Sequence, residues 1–260
     1  MSKIIIKVTD CIELLSEYHN KFDLVFTDPP WNVKKKYYLG SDDKGYYFSW
    51  CEEWIEKVFK ALKQGGAFYL INTPENSLLL YPIMKKYGVY RASIVWFKRC
   101  SPPPRKGGYP NMYSTILYFT KGKTSYFNDT IRIPFELKTK GKTTPHFIYD
   151  VWLDIPKVTY GFLGGEGILN SNEKPILPNQ LPVPLLKRMI NISCPEDGWV
   201  CDPFCGTGTT ARACKILNRN FIGGDIDEHL VKIALQSLEK VGYQEPLEKI
   251  FGTEEFFGAK

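Results

Sequence analysis

The sequence predicts an α/β fold, in which helices cover a mostly parallel sheet, and two observations support this prediction. Short runs rich in β-branched and aromatic residues alternate with segments of helical periodicity, which is the pattern of βαβ units. The length of 260 residues suits one such unit with one insertion. The longest apolar runs, such as residues 67–71, are far shorter than the roughly 20 residues of a membrane span, so we expect no membrane association.

The first half of the chain contains five predicted strands, at residues 3–8, 23–27, 67–72, 93–98 and 115–120. Ser49 and Glu52 have the spacing of a capping box, so we predict a helix that begins at Ser49 and ends at Gly65-Gly66. No charged leader with a long apolar segment precedes the first strand. We therefore expect a cytoplasmic protein.

The regular pattern stops at residues 122–172, which are basic, contain Pro and Gly, and lack helical periodicity. It returns with a helix at 184–192, a strand at 199–201, a helix after Gly208, a strand at 221–223 and a helix at 228–241. We therefore predict one α/β domain formed by residues 1–121 and 173–260, interrupted by an insertion at residues 122–172.

Positive charge is concentrated in one segment of the chain. Residues 98–142 contain ten Lys or Arg and two acidic residues, a balance of +8, whereas the remaining 24 basic and 26 acidic residues give −2. A basic segment in an otherwise neutral protein is typical of a polyanion-binding surface. A solvated basic loop is the alternative.

Cysteine and histidine usage argues against a metal site or a disulfide framework. The seven cysteines form no Cys-x-x-Cys pair, and there are only three histidines, at positions 19, 146 and 229. We expect most of the cysteines to be reduced packing residues and predict no metal site.

The first functional motif is Asp202-Pro203-Phe204-Cys205-Gly206-Thr207-Gly208-Thr209-Thr210, between a predicted strand and a predicted helix. Its glycines allow a tight turn close to a ligand, and Asp225, nineteen positions after Gly206, ends the next strand, where an acidic residue can bind ribose hydroxyls. No Lys follows Gly208, which excludes a phosphate-binding P-loop, and Ala211 replaces the third glycine of the dinucleotide fingerprint. A ligand without pyrophosphate, such as S-adenosylmethionine, fits better, although a simple glycine turn remains open.

The second motif, Asp28-Pro29-Pro30-Trp31, directly follows a predicted strand. The prolines lack amide donors, so the Asp28 carboxylate and the Pro29 carbonyl can both accept hydrogen bonds from one amino group. Two acceptors would orient a weakly nucleophilic exocyclic amine toward a methyl donor. Trp31 offers a flat face on which an extruded base can stack. The alternative is a turn with a core tryptophan.

Together these motifs resemble those of the amino-directed DNA methyltransferases, which carry a D/N/S-P-P-Y/F/W motif and a D-P-F-x-G-x-G-T motif. The resemblance implies a class I S-adenosylmethionine-dependent methyltransferase fold, Rossmann-like, with residues 122–172 as the target-recognition region. The order of the motifs resembles the circularly permuted beta class of restriction-modification systems. The catalytic residues that it implies are Asp28, Pro29, Pro30 and Trp31. The cofactor-binding residues are Asp10, Cys11, Asp28, Asn179, Asp202, Phe204, Cys205, Gly206, Thr207, Gly208, Thr209, Asp225 and Ile226.

Some positions differ from the family pattern. Leu177 and Leu181 replace the His and Lys of the H-P-T-Q-K-P segment, and Ser114 stands where many relatives have an acidic residue. Gln180-Leu181-Pro182 is similar to the apolar variant of many cytosine-N4 enzymes, whereas Asp28 is more typical of adenine-N6 enzymes. We favour adenine N6 as the target.

Double-stranded DNA is the expected partner, with a homodimer and a separately acting restriction endonuclease as further partners that the resemblance implies. The residues expected to bind phosphates are Lys34, Lys35, Lys36, Arg105, Lys106, Lys138, Lys140 and Lys142. Methylation of an RNA base or a protein amide is one rival hypothesis, and a DNA-binding module without catalysis is the other.

Overall fold

The computed structural model of the chain describes residues 2–33, 36–37, 40–41, 45–98, 106–133, 146–158, 167–169, 172–177, 179–239 and 241. The first half contains β1 (Ile4–Val8), α1 (Cys11–Ser16), β2 (Phe22–Thr27), β3 (Lys36–Tyr37), β4 (Gly40–Ser41), α2 (Tyr47–Ala61), β5 (Leu62–Asn72), α3 (Pro74–Lys85), β6 (Val89–Phe97) and β7 (Tyr113–Thr120). The second half contains β8 (Arg132–Ile133), β9 (His146–Phe147), β10 (Val151–Trp152), α4 (Val183–Ser193), β11 (Trp199–Asp202), α5 (Thr209–Ile216), β12 (Asn220–Asp225) and α6 (Glu228–Glu239).

Eight strands form one sheet in the order β1-β12-β11-β2-β5-β7-β6-β10. The first five of these run parallel, β7 is antiparallel to both β5 and β6, and β10 is parallel to β6. The predicted mostly parallel sheet is confirmed. Because the carboxyl ends of β1, β12, β11, β2 and β5 meet at one edge, residues that follow these strands become neighbours.

Helices bury both faces of this sheet. On one face, Leu186 and Met189 of α4 and Ala211 of α5 pack with Leu24 and other strand residues. On the other, α1, α2 and α3 contribute residues such as Leu14, Trp54 and Leu80, which pack with Phe68. Strands covered on both faces read as nearly continuous apolar runs, as in β5.

The predicted limits of the helix at Ser49 are wrong at both ends. Helix α2 begins at Tyr47, and Ser49 donates its hydroxyl to the Tyr46 carbonyl, so it does not cap the helix. Gly65 and Gly66 lie inside β5, where Gly65 donates its backbone N–H to the Lys121 carbonyl. Gly65 is needed there because its φ is +79° and a Cβ would lie 2.5 Å from the Ser125 Cβ.

The remaining predicted strands and helices are present with shifted ends. The predicted insertion contributes β10 to the main sheet, where Trp152 pairs with Trp96 of β6 and is buried. Arg188 of α4 forms an ion pair with Asp154 just beyond this strand and lies over the Trp152 ring. The boundaries of the insertion stay a prediction.

The cysteines of the described ranges have the expected packing role. Six of them, namely Cys11, Cys51, Cys194, Cys201, Cys205 and Cys214, are free and buried. In the same ranges, every helix is too short or too polar to cross a bilayer.

Strand β12 requires glycine where it lies beside the end of β11. A Cβ at Gly223 would lie 2.5 Å from the Phe221 ring and 2.8 Å from the Asp202 carbonyl oxygen, whereas nothing lies within 4 Å of one at Gly45. Gly223→Ala should therefore lower the free energy of unfolding by about 1–3 kcal/mol through overpacking. Urea denaturation would measure this, with Gly45→Ala as the matched control. Equal stability of both variants would contradict the crowding.

Candidate active site

Four acidic residues converge where neighbouring parallel strands end. Asp10 follows β1, Asp225 ends β12, Asp202 ends β11 and Asp28 follows β2. These side chains are close enough for the charges of Asp28 and Asp225 to contribute to the raised pKa of the Asp202 carboxyl. In open α/β sheets, ligands bind at this edge.

The buried side chain of Asp202 holds the glycine loop, which is formed by residues 203–208 between β11 and α5. It is 2% exposed, its Oδ1 accepts the backbone N–H of Phe204 at 3.0 Å, and its Oδ2 accepts the Thr210 hydroxyl at 2.5 Å. Burial is the largest cause that raises its pKa, to about 7. The carboxyl therefore braces the loop between strand and helix.

The two loop glycines adopt backbone conformations that favour glycine. Gly206 has φ +49° and Gly208, the N-cap of α5, has φ +81°. The Gly206 N–H donates to Asp225 Oδ2 at 3.0 Å, and a Cβ at Gly208 would lie 2.8 Å from the Ala234 Cβ. Burial also raises the pKa of Asp225, the acidic residue of the neighbouring strand. The loop and Asp225 form one structural unit.

The other residues predicted to bind the cofactor near this loop differ in how far their side chains are buried. Cys205, Thr207 and Thr209 are buried. Phe204 is partly buried and packs edge-on against Trp54, with ring centroids 5.3 Å apart. Ile226 is 59% exposed directly after Asp225, which leaves an apolar surface at the strand end.

The residues that follow β1 have mainly structural roles. Asp10 caps α1 by accepting the Ile12 N–H at 2.7 Å, and the Thr9 N–H donates to the Asp225 carbonyl at 3.0 Å. Cys11 is buried, and burial strongly raises the pKa of its thiol. The structure thus brings Asp10 to the predicted edge, with Cys11 as a core residue.

Leu177, from the segment similar to H-P-T-Q-K-P, packs beside the glycine loop. A Cβ at Gly206 would lie 3.1 Å from the Leu177 Cδ1. Gln180 is buried and its Oε1 accepts the Ile168 N–H at 3.1 Å, whereas Asn179 is exposed. Ser114 at the start of β7 is fully buried, and its hydroxyl has no hydrogen-bond partner among the described residues.

Within the second motif, the tryptophan is bound to the aspartate. The indole Nε1–H of Trp31 donates to Asp28 Oδ1 at 2.8 Å, and the Trp31 ring packs partly against the core. The ammonium group of Lys98 lies 5.6 Å from the centre of that ring. Pro29 and Pro30 form the link between the strand and Trp31.

A polar network that was not predicted from the sequence lies next to this motif. The Asn76 amide Nδ2 donates to the Trp31 carbonyl at 2.6 Å and to Asn72 Oδ1 at 2.9 Å, and Asn72 Nδ2 donates to the Tyr47 hydroxyl at 3.2 Å. Asn72 is fully buried at the end of β5. The only sequence signal was a pair of asparagines four positions apart where a strand ends and a helix begins.

Most of the expected phosphate-binding residues lie outside the described residues: Lys34, Lys35, Arg105, Lys138, Lys140 and Lys142. The backbone of Lys36 belongs to β3, and Lys106 is exposed. Across the ranges that the structure covers, no group of three His, Cys, Asp or Glu side chains is arranged to hold a metal ion.

Comparison with protein families gives a match over most of the chain. A model described as DNA methylase, for N6- and N4-directed enzymes, matches residues 22–236. Type II methyltransferase M.HpaI of Haemophilus parainfluenzae is 32% identical over 226 residues, which cover 85% of this chain and 69% of that protein. M.BamHI of Bacillus amyloliquefaciens is 31% identical over 89% of this chain, which spans 56% of that protein's length. DNA adenine methyltransferase YhdJ of Escherichia coli is 29% identical over 84% of this chain and 76% of its own.

Solved structures share the fold. M1.HpyAVI aligns with a TM-score of 0.62 at 22% identity, over 90% of this chain and 98% of its own. The PvuII DNA methyltransferase, described as cytosine-N4-specific, aligns with a TM-score of 0.67 at 18% identity, over 96% and 90%. The expected class I methyltransferase fold is confirmed.

Asp202→Asn should remove a pH dependence of stability. Because the folded-state pKa of about 7 lies above the ordinary value of about 4, the folded protein keeps a proton that the unfolded chain releases as the pH rises between these values. The contribution of Asp202 to the free energy of unfolding therefore falls as the pH rises from about 4 to about 7. Above pH 7 the carboxyl is ionised in both states, and the contribution no longer changes.

Urea denaturation at pH 5 and pH 8 would measure this effect. The stability of the wild type relative to Asp202→Asn should fall by about 2–3 kcal/mol between the two pH values. A difference that does not change with pH would contradict a raised pKa at Asp202.

Proposed function

The chain belongs to the DNA methylase family of N6- and N4-directed enzymes, and we propose that it transfers a methyl group from S-adenosylmethionine to the N6 amine of an adenine in double-stranded DNA. The position of Asp28 carries this proposal. Asp28 follows a strand that pairs directly with the strand of the glycine loop, so an amine acceptor stands beside a cofactor loop. The Type II methyltransferase relatives support a role in restriction-modification.

The residues at the strand ends fit the cofactor. Asp225 lies where a carboxylate can accept ribose hydroxyls, and Ile226 offers an apolar surface to the adenine ring. Gly206 and Gly208 let the loop backbone approach a ligand that side chains would block. S-adenosylmethionine, when bound, supplies a methyl group on a positively charged sulfur.

Asp28 orients the target amine and receives its proton. Oδ1 of Asp28 accepts the Trp31 indole N–H, and the Asp28 carboxylate and the Pro29 carbonyl would accept the two amine hydrogens. The amine becomes acidic only as it gains the methyl group, so Asp28 need not be a strong base. The proton passes to Asp28 and then to solvent, without a covalent enzyme intermediate.

Cytosine N4 is the alternative target. Asp28 and the likeness to the adenine methyltransferase YhdJ favour adenine. The segment Gln180-Leu181-Pro182 and the fold shared with the cytosine-N4-specific PvuII enzyme favour cytosine. We give more weight to Asp28 because in this proposal it binds the target amine, whereas Gln180 is buried and accepts the backbone N–H of Ile168.

Duplex DNA is the substrate that the charge distribution supports. The basic residues of 98–142, including exposed Lys106, and Lys34-Lys35-Lys36 would bind phosphates while the target base leaves the helix and stacks near Trp31. Because β2 precedes β11 in the chain, we assign the protein to the circularly permuted beta class, with residues 122–172 as target-recognition insertion. We also propose a homodimer and a separate cognate endonuclease as partners.

The substrate class can be tested with labelled S-adenosylmethionine. The protein should transfer label to unmethylated double-stranded DNA and leave RNA and denatured protein unlabelled, because the family is one of DNA methylases and the basic residues 98–142 would bind the phosphates of the duplex. Scintillation counting of each purified polymer measures this. Label in RNA or protein with none in DNA would refute the proposal.

Asp28→Ala should lower kcat by about 100-fold or more, because it removes the acceptor that orients the amine. The dissociation constant for S-adenosylmethionine, measured by calorimetry, should stay within about threefold, since Asp225 and the glycine loop are intact. Glu53→Ala, an exposed acid on α2, is the matched control. Full activity of Asp28→Ala would remove Asp28 from the mechanism.

A further inference from the structure

A continuous hydrogen-bonded path connects two helices to the carboxylate of Asp28. It runs from the Tyr47 hydroxyl on α2 through Asn72 to Asn76 on α3, and from Asn76 to the Trp31 backbone carbonyl. The Trp31 indole completes it by donating to Asp28 Oδ1. Each donor-acceptor distance is between 2.6 and 3.2 Å, within the range of ordinary hydrogen bonds.

Asn76 is the residue of this path that is best placed to fix the motif. An asparagine amide has two hydrogens, and in Asn76 one is given to the Trp31 carbonyl and the other to Asn72 Oδ1. Its own backbone N–H is held by the hydroxyl of Thr73, the N-cap of α3. Asn76 is therefore fixed on a helix, with both amide hydrogens committed.

Trp31 connects Asn76 to the Asp28 carboxylate through its indole hydrogen bond, which the other aromatic residues found at this position of the motif cannot make. Phe has no donor, and the hydroxyl of Tyr lies at the far end of its ring. With Oδ1 bound to the indole, the rotation of the carboxylate is restricted, and this fixes the direction in which it faces the incoming amine. Fixing a reacting group in this way lowers the entropy cost of reaching the transition state.

We infer that Asn76 is a positioning residue, which acts through Trp31 to orient the Asp28 carboxylate toward the substrate amine. This inference rests on the proposed methyl transfer, because the orientation has a catalytic effect only if Asp28 binds the amine. It assigns Asn76 no contact with DNA or cofactor.

The first experiment compares Asn76→Ala and Asn76→Asp with wild type in single-turnover methyl transfer. Asp has the shape of Asn but no amide hydrogens, and it places negative oxygens against the Trp31 carbonyl and Asn72 Oδ1. Both variants should lower the transfer rate at saturating DNA and cofactor by about 10–100-fold, with KM for DNA and cofactor affinity within about threefold. Glu75→Gln, an exposed change on the same turn, should keep the wild-type rate.

A double-mutant cycle separates positioning from a loss of structure. Trp31→Phe keeps a flat ring and removes the indole N–H, so Asn76→Ala should slow the reaction little further in the Trp31→Phe background. Rate losses that multiply in the double variant would overturn the inference. So would a wild-type rate in both Asn76 variants.

An NMR measurement tests the same path without any activity. In protein labelled with 15N-tryptophan, the Trp31 indole resonance is identified by its loss in Trp31→Phe. It should shift in Asn76→Ala and in Asp28→Asn, and stay unchanged in Glu75→Gln. An unmoved resonance in Asn76→Ala would refute the inference. Wild-type protein that labels no DNA would instead refute the proposed function, and the NMR result would still show whether Asn76 holds the Trp31 indole in place.

Discussion

The parallel pairing of β2 with β11 is the interaction on which the candidate site depends. Val200 pairs with Leu24 and Cys201 with Val25, so the two strands end side by side, with Asp202 as the last residue of β11 and Asp28 directly after β2. Packing fixes this register, because a slip of one residue would turn each side chain of the slipped strand to the opposite face, where the helices pack around a different set of residues. The helices on both faces therefore position Asp28 and the glycine loop relative to each other.

This arrangement is held at some cost in stability. Asp202 is buried with a raised pKa, and Gly208 leaves no room for a side chain beside Ala234. Groups that are poorly suited to a stable core often accumulate at sites that bind or react. Here they keep the glycine loop in one conformation, while the network from Tyr47 through Asn76 holds the second motif from the other side.

The sequence predicted the acidic residues of the site because strand ends are recognisable and parallel strands bring their ends together. It misplaced the start of α2, because Ser49 and Glu52 have capping-box spacing but the chain already turns into the helix at Tyr47. Gly65 was interpreted as the end of a helix, whereas glycine is required there because Ser125, distant in the sequence, leaves no room for a side chain. Asn76 was missed because its partner Trp31 is 45 positions away. Local patterns predicted that Asp28 follows a strand at this edge of the sheet, and long-range contacts determine how it is held.

The identity of the methylated base tests the central claim most directly. Unmethylated double-stranded DNA would be treated with the protein and S-adenosylmethionine, digested to nucleosides and analysed by mass spectrometry. We predict N6-methyladenosine in its deoxy form as the new nucleoside, absent when Asp28→Ala protein is used. N4-methyldeoxycytidine would contradict the choice of adenine, and a digest without any new methylated nucleoside would contradict DNA amine methylation itself.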